Sequence, residues 1–307
     1  MEAISKLRKR LIIVQGPTAS GKTGLAISLA QHFNTEIISG DSRQFYKEIS
    51  IGTAKPTTSE LQAVKHHFID SHSIHDEVNA AQYSKEARIL LNKLFETKDT
   101  VIVCGGSGMF IDAFVFGLDD IEINLEIRTE LEKRLSEEGL QVLVSELLEK
   151  DEALAQTMDL KNPARVIRAL EVILSSGKKY SEQRTGFKND LDCDVIRFAI
   201  QWPREQLYER INHRVELMLQ EGLIEEVKAV AAFRTIKSLN TVGYKELFDF
   251  FDGKLSESEA IEKIKQHSRN YAKRQETWLR RYFDLFYLNP FSEKTLLEQA
   301  MENINRF

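Results

Sequence analysis

Gly16-Pro17-Thr18-Ala19-Ser20-Gly21-Lys22-Thr23 is the stretch that decides the fold. It satisfies G-x-x-x-x-G-K-[ST], the phosphate-binding P-loop. Before it, Leu11-Ile12-Ile13-Val14 is a short apolar, β-rich run that predicts a buried strand. After it, residues 24–33 carry Leu25, Leu29 and Ala30 at helical spacing and predict a helix. Glycines let the backbone bend so that several N–H groups point inward, and the helix N-terminus adds a partial positive charge. Lys22 adds a full charge, and Thr23 offers a hydroxyl to a magnesium ion, the cofactor expected here. The loop implies a ligand with at least two phosphates, ATP or another diphosphate, and does not read what the phosphates are attached to.

Working outward, the alternation of strand and helix continues. Glu36-Ile37-Ile38-Ser39 predicts a second strand that ends at Gly40-Asp41-Ser42-Arg43-Gln44-Phe45-Tyr46. Ligands of open α/β sheets sit beyond the carboxyl ends of the strands, so Asp41 and the P-loop should face one crevice. Asp41 reads either as a general base or magnesium-organising group, or as a turn aspartate. Residues 51–56 predict a loop, Thr58 or Ser59 the cap of a short helix, and residues 65–70 a strand. On a strand, His66 and His67 point to opposite faces, which argues against a shared metal. Residues 80–95 predict a helix with Ala87, Leu91, Leu94 and Phe95 inward. Val101-Ile102-Val103-Cys104 predicts a buried strand ending in a second glycine loop, Gly105-Gly106-Ser107-Gly108. The fold class is therefore α/β, a P-loop NTPase-like parallel sheet flanked by helices. A motor ATPase usually ends an apolar strand in an acidic residue, and residues 101–104 end in glycines instead.

From residue 119 to about 188 the pattern is nearly all helical, with helices over 125–138, which Gly139 stops, over 142–148, and from Pro163 onward. Asn162 suits the cap of the last, Pro163 its first position and Gly177 its end. Val166, Leu170 and Ile173 form its apolar stripe. Arg165 and Arg168 project elsewhere, as solvated charges or as a clamp for phosphate or nucleic acid. Residues 195–200 return to a strand, so residues 119–194 read as a helical insertion into a core made of 1–118 and 195–307. Pro203 then opens a long helix with Leu207, Ile211, Val215 and Met218 inward, and Arg210 and Arg214 one turn apart on another face. Asn240-Thr241-Val242-Gly243-Tyr244-Lys245 leads into a further helix, and residues 257–282 predict the last long one. On a wheel of about 100° per residue, Arg269, Lys273 and Arg280 fall within about 40° of each other, opposite Ile264, Tyr271 and Trp278. Those two aromatics therefore read as core, and the basic stripe as a surface for a phosphate backbone.

The 307 residues carry 42 Lys and Arg against 47 Asp and Glu, a net charge of −5. The distribution is uneven: residues 263–281 hold seven basic residues against Glu276 alone, and residues 119–138 are acidic. No run approaches the ~18 apolar residues of a membrane span. Lys6, Arg8, Lys9 and Arg10 precede only four apolar residues, too few for a signal peptide. Cys104 and Cys193 show no metal or disulfide spacing. A cytoplasmic monomer without membrane contact is the expectation.

The octet, with Asp41-Ser42-x-Gln44-x-Tyr46, Ile51-Gly52-Thr53-Ala54-Lys55-Pro56, Gly105-Gly106-Ser107-Gly108, Arg165-x-x-Arg168-Ala169-Leu170-Glu171-Val172, Thr241-Val242-Gly243-Tyr244 and Lys273-Arg274-Gln275-x-Thr277-Trp278-Leu279-Arg280, resembles the bacterial tRNA dimethylallyltransferase (tRNA isopentenyltransferase) family. The blocks run in family order over nearly the whole chain. The resemblance implies transfer of a dimethylallyl group from dimethylallyl diphosphate to the exocyclic amine of the adenosine just 3′ of the anticodon, with magnesium assisting. It implies that residues 16–23 hold diphosphate, with Thr23 near the metal, that Asp41 is the general base, and that Arg214 rather than Arg210 faces the diphosphate. It implies contacts to the tRNA anticodon stem-loop from Asp41, Ser42, Arg43, Gln44 and Ser107 along the channel for a flipped adenine. Further contacts are implied from Arg128, Ala164, Arg165, Val166, Ile167 and Arg168 in the insertion. From the core they come from Thr241, Gly243, Tyr244, Lys245, Lys273, Arg274 and Arg280. Ser107 stands where the family commonly has Thr, which keeps the hydroxyl, and Ala164 stands where Gln is common, which removes one tRNA contact. The alternatives are a P-loop kinase acting on a small metabolite, with the helical block as its lid, and a non-catalytic RNA-binding module. The first has no use for the basic C-terminal helix. The second leaves the P-loop and Asp41 idle.

Overall fold

The apolar run before the P-loop forms β1 (Arg10–Gln15), where Leu11, Ile12, Ile13 and Val14 are each 0 % exposed. A strand buried on both faces belongs in the middle of a parallel sheet. A computed structural model describes residues 8–118, 124–183 and 191–306. Lys6, residues 119–123 of the acidic run and residues 184–190 at the end of the helical block lie outside the described residues.

Along the chain, β1 is followed by α1 (Lys22–His32), β2 (Ile37–Ser39), α2 (Thr58–Ala63), β3 (His66–His67), α3 (Ala80–Phe95), β4 (Thr100–Gly105) and α4 (Gly108–Phe116). Next come α5 (Leu125–Glu138), α6 (Leu140–Lys150), α7 (Glu152–Thr157), α8 (Pro163–Ser176) and α9 (Tyr180–Gln183). The chain returns with β5 (Asp194–Ile200), α10 (Arg204–Gln220), α11 (Leu223–Ala229), α12 (Tyr244–Phe251), α13 (Glu257–Leu279), β6 (Leu285–Leu288) and α14 (Leu296–Ile304). The sheet order is β3-β2-β4-β1-β5-β6, and every pairing is parallel. Gln15 at the end of β1 pairs with Gly105 of β4 and Ala199 of β5. That register delivers the P-loop and the second glycine loop to the same edge. Leu25, Leu29 and Ala30 of α1 pack on Ile12, Val14, Ile102 and Phe198 of the sheet.

The chain divides into two compact units, residues 1–115 with 191–307, and residues 116–190. The second has its own core, built from Leu131 of α5, Leu143 and Leu147 of α6, Leu154 of α7, and Val166 and Leu170 of α8. Asn162 caps α8 by accepting from the Arg165 amide, and Gly177 ends it at φ 68°.

Three expectations change. The strand expected over 65–70 shrinks to β3, because Phe68 and Asp70 adopt left-handed backbone at φ 61° and 52° and cannot extend the ladder. The cap of α2 is Thr57 rather than Thr58 or Ser59, in a capping box with Glu60. Helix α13 ends at Leu279, and the chain then adds an edge strand, β6, and α14. Among the described residues no helix is long and apolar enough to cross a membrane.

Candidate active site

Gly21 opens α1 in left-handed backbone at φ 92°, the turn that the P-loop glycine permits. The loop is braced from α10 and from the segment that leads into it. Arg210 Nε donates to the Ala19 carbonyl at 2.8 Å, and Trp202 Nε1 to the Ser20 carbonyl at 2.8 Å. The Arg210 guanidinium also lies 4.2 Å from the Trp202 ring. Arg214, one turn on, reaches the other side: its Nη1 donates to the Thr18 hydroxyl at 3.3 Å and its Nη2 to the Ala54 carbonyl at 3.2 Å.

Thr18, Lys22, Thr23, Asp41 and Arg214 line one cavity of about 620 Å³. Burial holds Lys22 below its ordinary pKa, and the Arg214 charge adds to this while Asp41 opposes it. Burial likewise lowers Arg214, against the pull of Asp41. Two cations kept partly dry beside a helix N-terminus are an anion site. Asp41 sits just past the end of β2, and its Oδ1 accepts from the Arg43 amide at 3.1 Å.

Ser107 Oγ accepts from the Ser42 amide at 3.0 Å and lies 3.0 Å from the Ser42 hydroxyl. This ties the second glycine loop to the segment after β2. Gln44 Nε2 donates to the Ala54 carbonyl at 3.0 Å. Arg43 spends its guanidinium on the carbonyls of Ser238 and Asn240, at 2.8 and 3.1 Å. The loop before α2 is pinned by Glu226 of α11, whose carboxylate accepts from the amides of Ser50, Ile51 and Gly52 at 2.7, 2.8 and 2.9 Å and from the Tyr244 hydroxyl at 2.6 Å.

A second, more apolar cavity of about 280 Å³ lies beside the first, with Gly16, Ser107, Met109, Phe110 and Trp278 in its lining. Ser42, Tyr271, Arg274 and Gln275 line both cavities. Tyr271 and Trp278 are therefore half-buried cavity walls rather than core: on the face of α13 opposite its basic stripe Ile264 packs into the core, while the two aromatics border the cavity at the second glycine loop. Burial pushes the Tyr271 phenol up to about 12.

The other residues carried by the resemblance divide. Thr241, Gly243 and Lys245 line the first cavity, and Lys273 and Arg280 are exposed on α13 and just beyond it. Tyr244 is 0 % exposed and bonded to Glu226, so its side chain is structural. In the second unit Ala164 and Arg165 are exposed, Arg168 pairs with Glu171 at 3.0 Å and Arg128 with Glu132 at 3.4 Å. Val166 and Ile167 lie in the unit's core, at 0 % and 4 % exposure, since they continue the apolar stripe of α8; their side chains are not available to a ligand. Among the described residues no group of three or more His, Cys, Asp and Glu side chains could hold a metal. His67 faces Glu36 and His66 Nδ1 the Val64 carbonyl.

Gln275 entered only as part of the Lys273–Arg280 block and was given no role by the sequence. Its Oε1 accepts from the Thr18 amide at 3.0 Å and its Nε2 donates to the Gly106 carbonyl at 2.8 Å, so it joins the two loops through α13. The available signals were its fixed place in that block and an uncharged amide between Arg274 and Glu276 on a highly charged helix.

The family model described as IPP transferase matches residues 44–282. A tRNA dimethylallyltransferase 1 of Bacteroides thetaiotaomicron is 44% identical over 289 residues, 94% of each chain. A tRNA dimethylallyltransferase of Christiangramia forsetii is 45% identical over 272 residues, 88% of this chain and 90% of its own. The crystal structure of a tRNA delta(2)-isopentenylpyrophosphate transferase from Staphylococcus epidermidis superposes with a TM-score of 0.70 at 35% identity, covering 97% of this chain and 99% of that one. That of a eukaryotic dimethylallyltransferase acting on tRNA gives 0.81 at 26% identity, covering 97% and 79%. Nothing in these relatives supports the kinase alternative. A P-loop braced on an arginine-bearing helix, a parallel sheet with an inserted helical unit, and near-full-length identity above 40% agree: the chain belongs to the tRNA dimethylallyltransferase (IPP transferase) family.

Proposed function

We propose that this chain transfers a dimethylallyl group from dimethylallyl diphosphate to tRNA, onto the exocyclic amine of the adenosine 3′-adjacent to the anticodon. The observation that carries the reading is the single cavity shared by Thr18, Lys22, Thr23, Asp41 and Arg214, an anion site with the Asp41 carboxylate in the same lining.

In this reading the P-loop amides, Lys22 and Arg214 hold the diphosphate and stabilise the charge that grows as the donor C1–O bond breaks. The amine nitrogen forms the new bond to C1, the electron pair of the broken bond leaves with the diphosphate, and Asp41 takes the amine proton. The adenine leaves its stack to reach C1, and Ser42 and Ser107 offer hydroxyls along its path. Exposed Lys273, Arg274 and Arg280 meet the anticodon stem-loop's phosphates. Magnesium fits the donor set: the Thr23 hydroxyl and the Asp41 carboxylate line the same small cavity, and an ion that takes few protein oxygens completes its shell with substrate phosphates and water. When bound, it neutralises diphosphate charge.

The test incubates the protein, magnesium and labelled dimethylallyl diphosphate with unmodified tRNA carrying adenosine after the anticodon, and with the same tRNA carrying guanosine there. Label should enter only the first. No label in either, with magnesium-dependent ATP consumption on a small acceptor, overturns the reading. Asp41→Ala at near-normal turnover removes the base assignment alone.

A further inference from the structure

Asp112 of α4 is 5 % exposed, and the transfer step makes no use of it. Its carboxylate accepts from Trp278 Nε1 at 3.1 Å and from the Tyr282 hydroxyl. Trp278 Nε1 also lies 3.1 Å from the Tyr282 oxygen, so the three groups close a triangle. Arg281 covers it, with Nη1 3.6 Å from the carboxylate and its guanidinium 4.5 Å from the Trp278 ring. Arg197, 2 % exposed, lies 4.8 Å from the Tyr282 ring and 3.6 Å from Asp284. On the opposite side the indole presses on the start of α4, where a Cβ on Gly108 would come within 2.4 Å of it.

One buried carboxylate thus takes N–H and O–H donors from two aromatic side chains and sets the orientation of both. An indole whose N–H loses its buried acceptor pays the desolvation of that group and turns to find another partner. The ring held in this way is a wall of the second cavity. Ser42, Ser107, Arg274 and Gln275 supply polar groups around the same space. An aromatic wall with hydroxyl, amide and guanidinium groups nearby is the chemistry that receives an unstacked nucleobase, the base lying against the part of the indole that borders the cavity and its edge on the polar groups.

We propose that Asp112 is a positioning residue: by holding the Trp278 N–H it sets the indole as the wall against which an unstacked tRNA base lies. The proposal rests on the tRNA-acting reading above. It is tested with the full chain by equilibrium binding of the fluorescently labelled, unmodified anticodon stem-loop, independently of turnover. Asp112→Ala should weaken that affinity by about 5- to 150-fold, the range that one base–aromatic contact supplies, with the KM for dimethylallyl diphosphate unchanged. Asp112→Asn, which keeps one acceptor, should fall between wild type and Asp112→Ala. In a Trp278→Phe background, where there is no N–H to hold, Asp112→Asn should have no further effect. An unchanged stem-loop affinity, an equal rise in donor KM, or the same loss in both backgrounds overturns the proposal. Should Asp112→Ala fail to fold, the Asp112→Asn pair in the two backgrounds decides alone. Absence of transfer by a wild type that binds the stem-loop overturns the prenyl-transfer reading and leaves the Asp112 result standing.

Discussion

Two glycine loops meet at one edge of the sheet, and they need glycine for different reasons. In the P-loop, Gly21 stands at φ 92°, a conformation set by the turn into α1. In the second loop, Gly106 has no such dihedral; a Cβ there would come within 2.3 Å of Gln275 Nε2, on a helix 169 residues further along the chain. The first requirement is local and the second arises only once α13 has docked. One loop is shaped to hold an anion, and the other to let a helix carrying the basic surface approach it.

The contrast is open to direct attack. The largest expected effect is Lys22→Ala, which removes a partly desolvated charge from the anion site and should lower kcat/KM for the donor by ~10²–10³-fold in steady-state kinetics. Next is Gly106→Ala, where overpacking against the Gln275 amide should cost ~1–3 kcal/mol in denaturant unfolding. If the requirement lies in the partner, Gly106→Ala should be relieved by adding Gln275→Ala. Gly21→Ala, costing ~1–2 kcal/mol of backbone strain, should not be relieved by it. Equal behaviour of the two double variants would erase the distinction. Arg210→Ala should be the mildest, because this exposed side chain braces the P-loop from outside and its stacking on Trp202 is worth ~0.5–1 kcal/mol. Measured beside Arg214→Ala, it should leave donor KM the nearer to wild type.

How much could be read beforehand follows the same line. Strands β1, β2, β4 and β5, the P-loop, the caps at Asn162 and Gly177 and the inserted helical block depend on neighbours in sequence and were legible, whereas the edge strand β6 was not read. The truncation of β3 was not legible, because Phe68, the first residue to leave the ladder, is of a type that rarely takes left-handed backbone. Val166, Ile167 and Tyr244 entered as ligand contacts through the blocks they sit in, although two continue an apolar stripe and the third fills the space under Gly52, where a Cβ would come within 2.6 Å of its ring. Tyr271 and Trp278 lie opposite the basic stripe as the wheel requires. A wheel shows which side of a helix a residue occupies and not whether that side meets packed core or a cavity. Gln275 and Asp112 act on partners in distant elements, and no spacing rule reaches them.

The carboxylate of Glu226 has a consequence in another observable. It takes three consecutive amide hydrogens, those of Ser50, Ile51 and Gly52, in a stretch that forms no helix or strand. Irregular surface segments ordinarily trade their amide hydrogens with deuterated solvent fast. Here three neighbours should trade together and slowly, as an island of retained protons inside a loop, released in one step when the α11 carboxylate lets go.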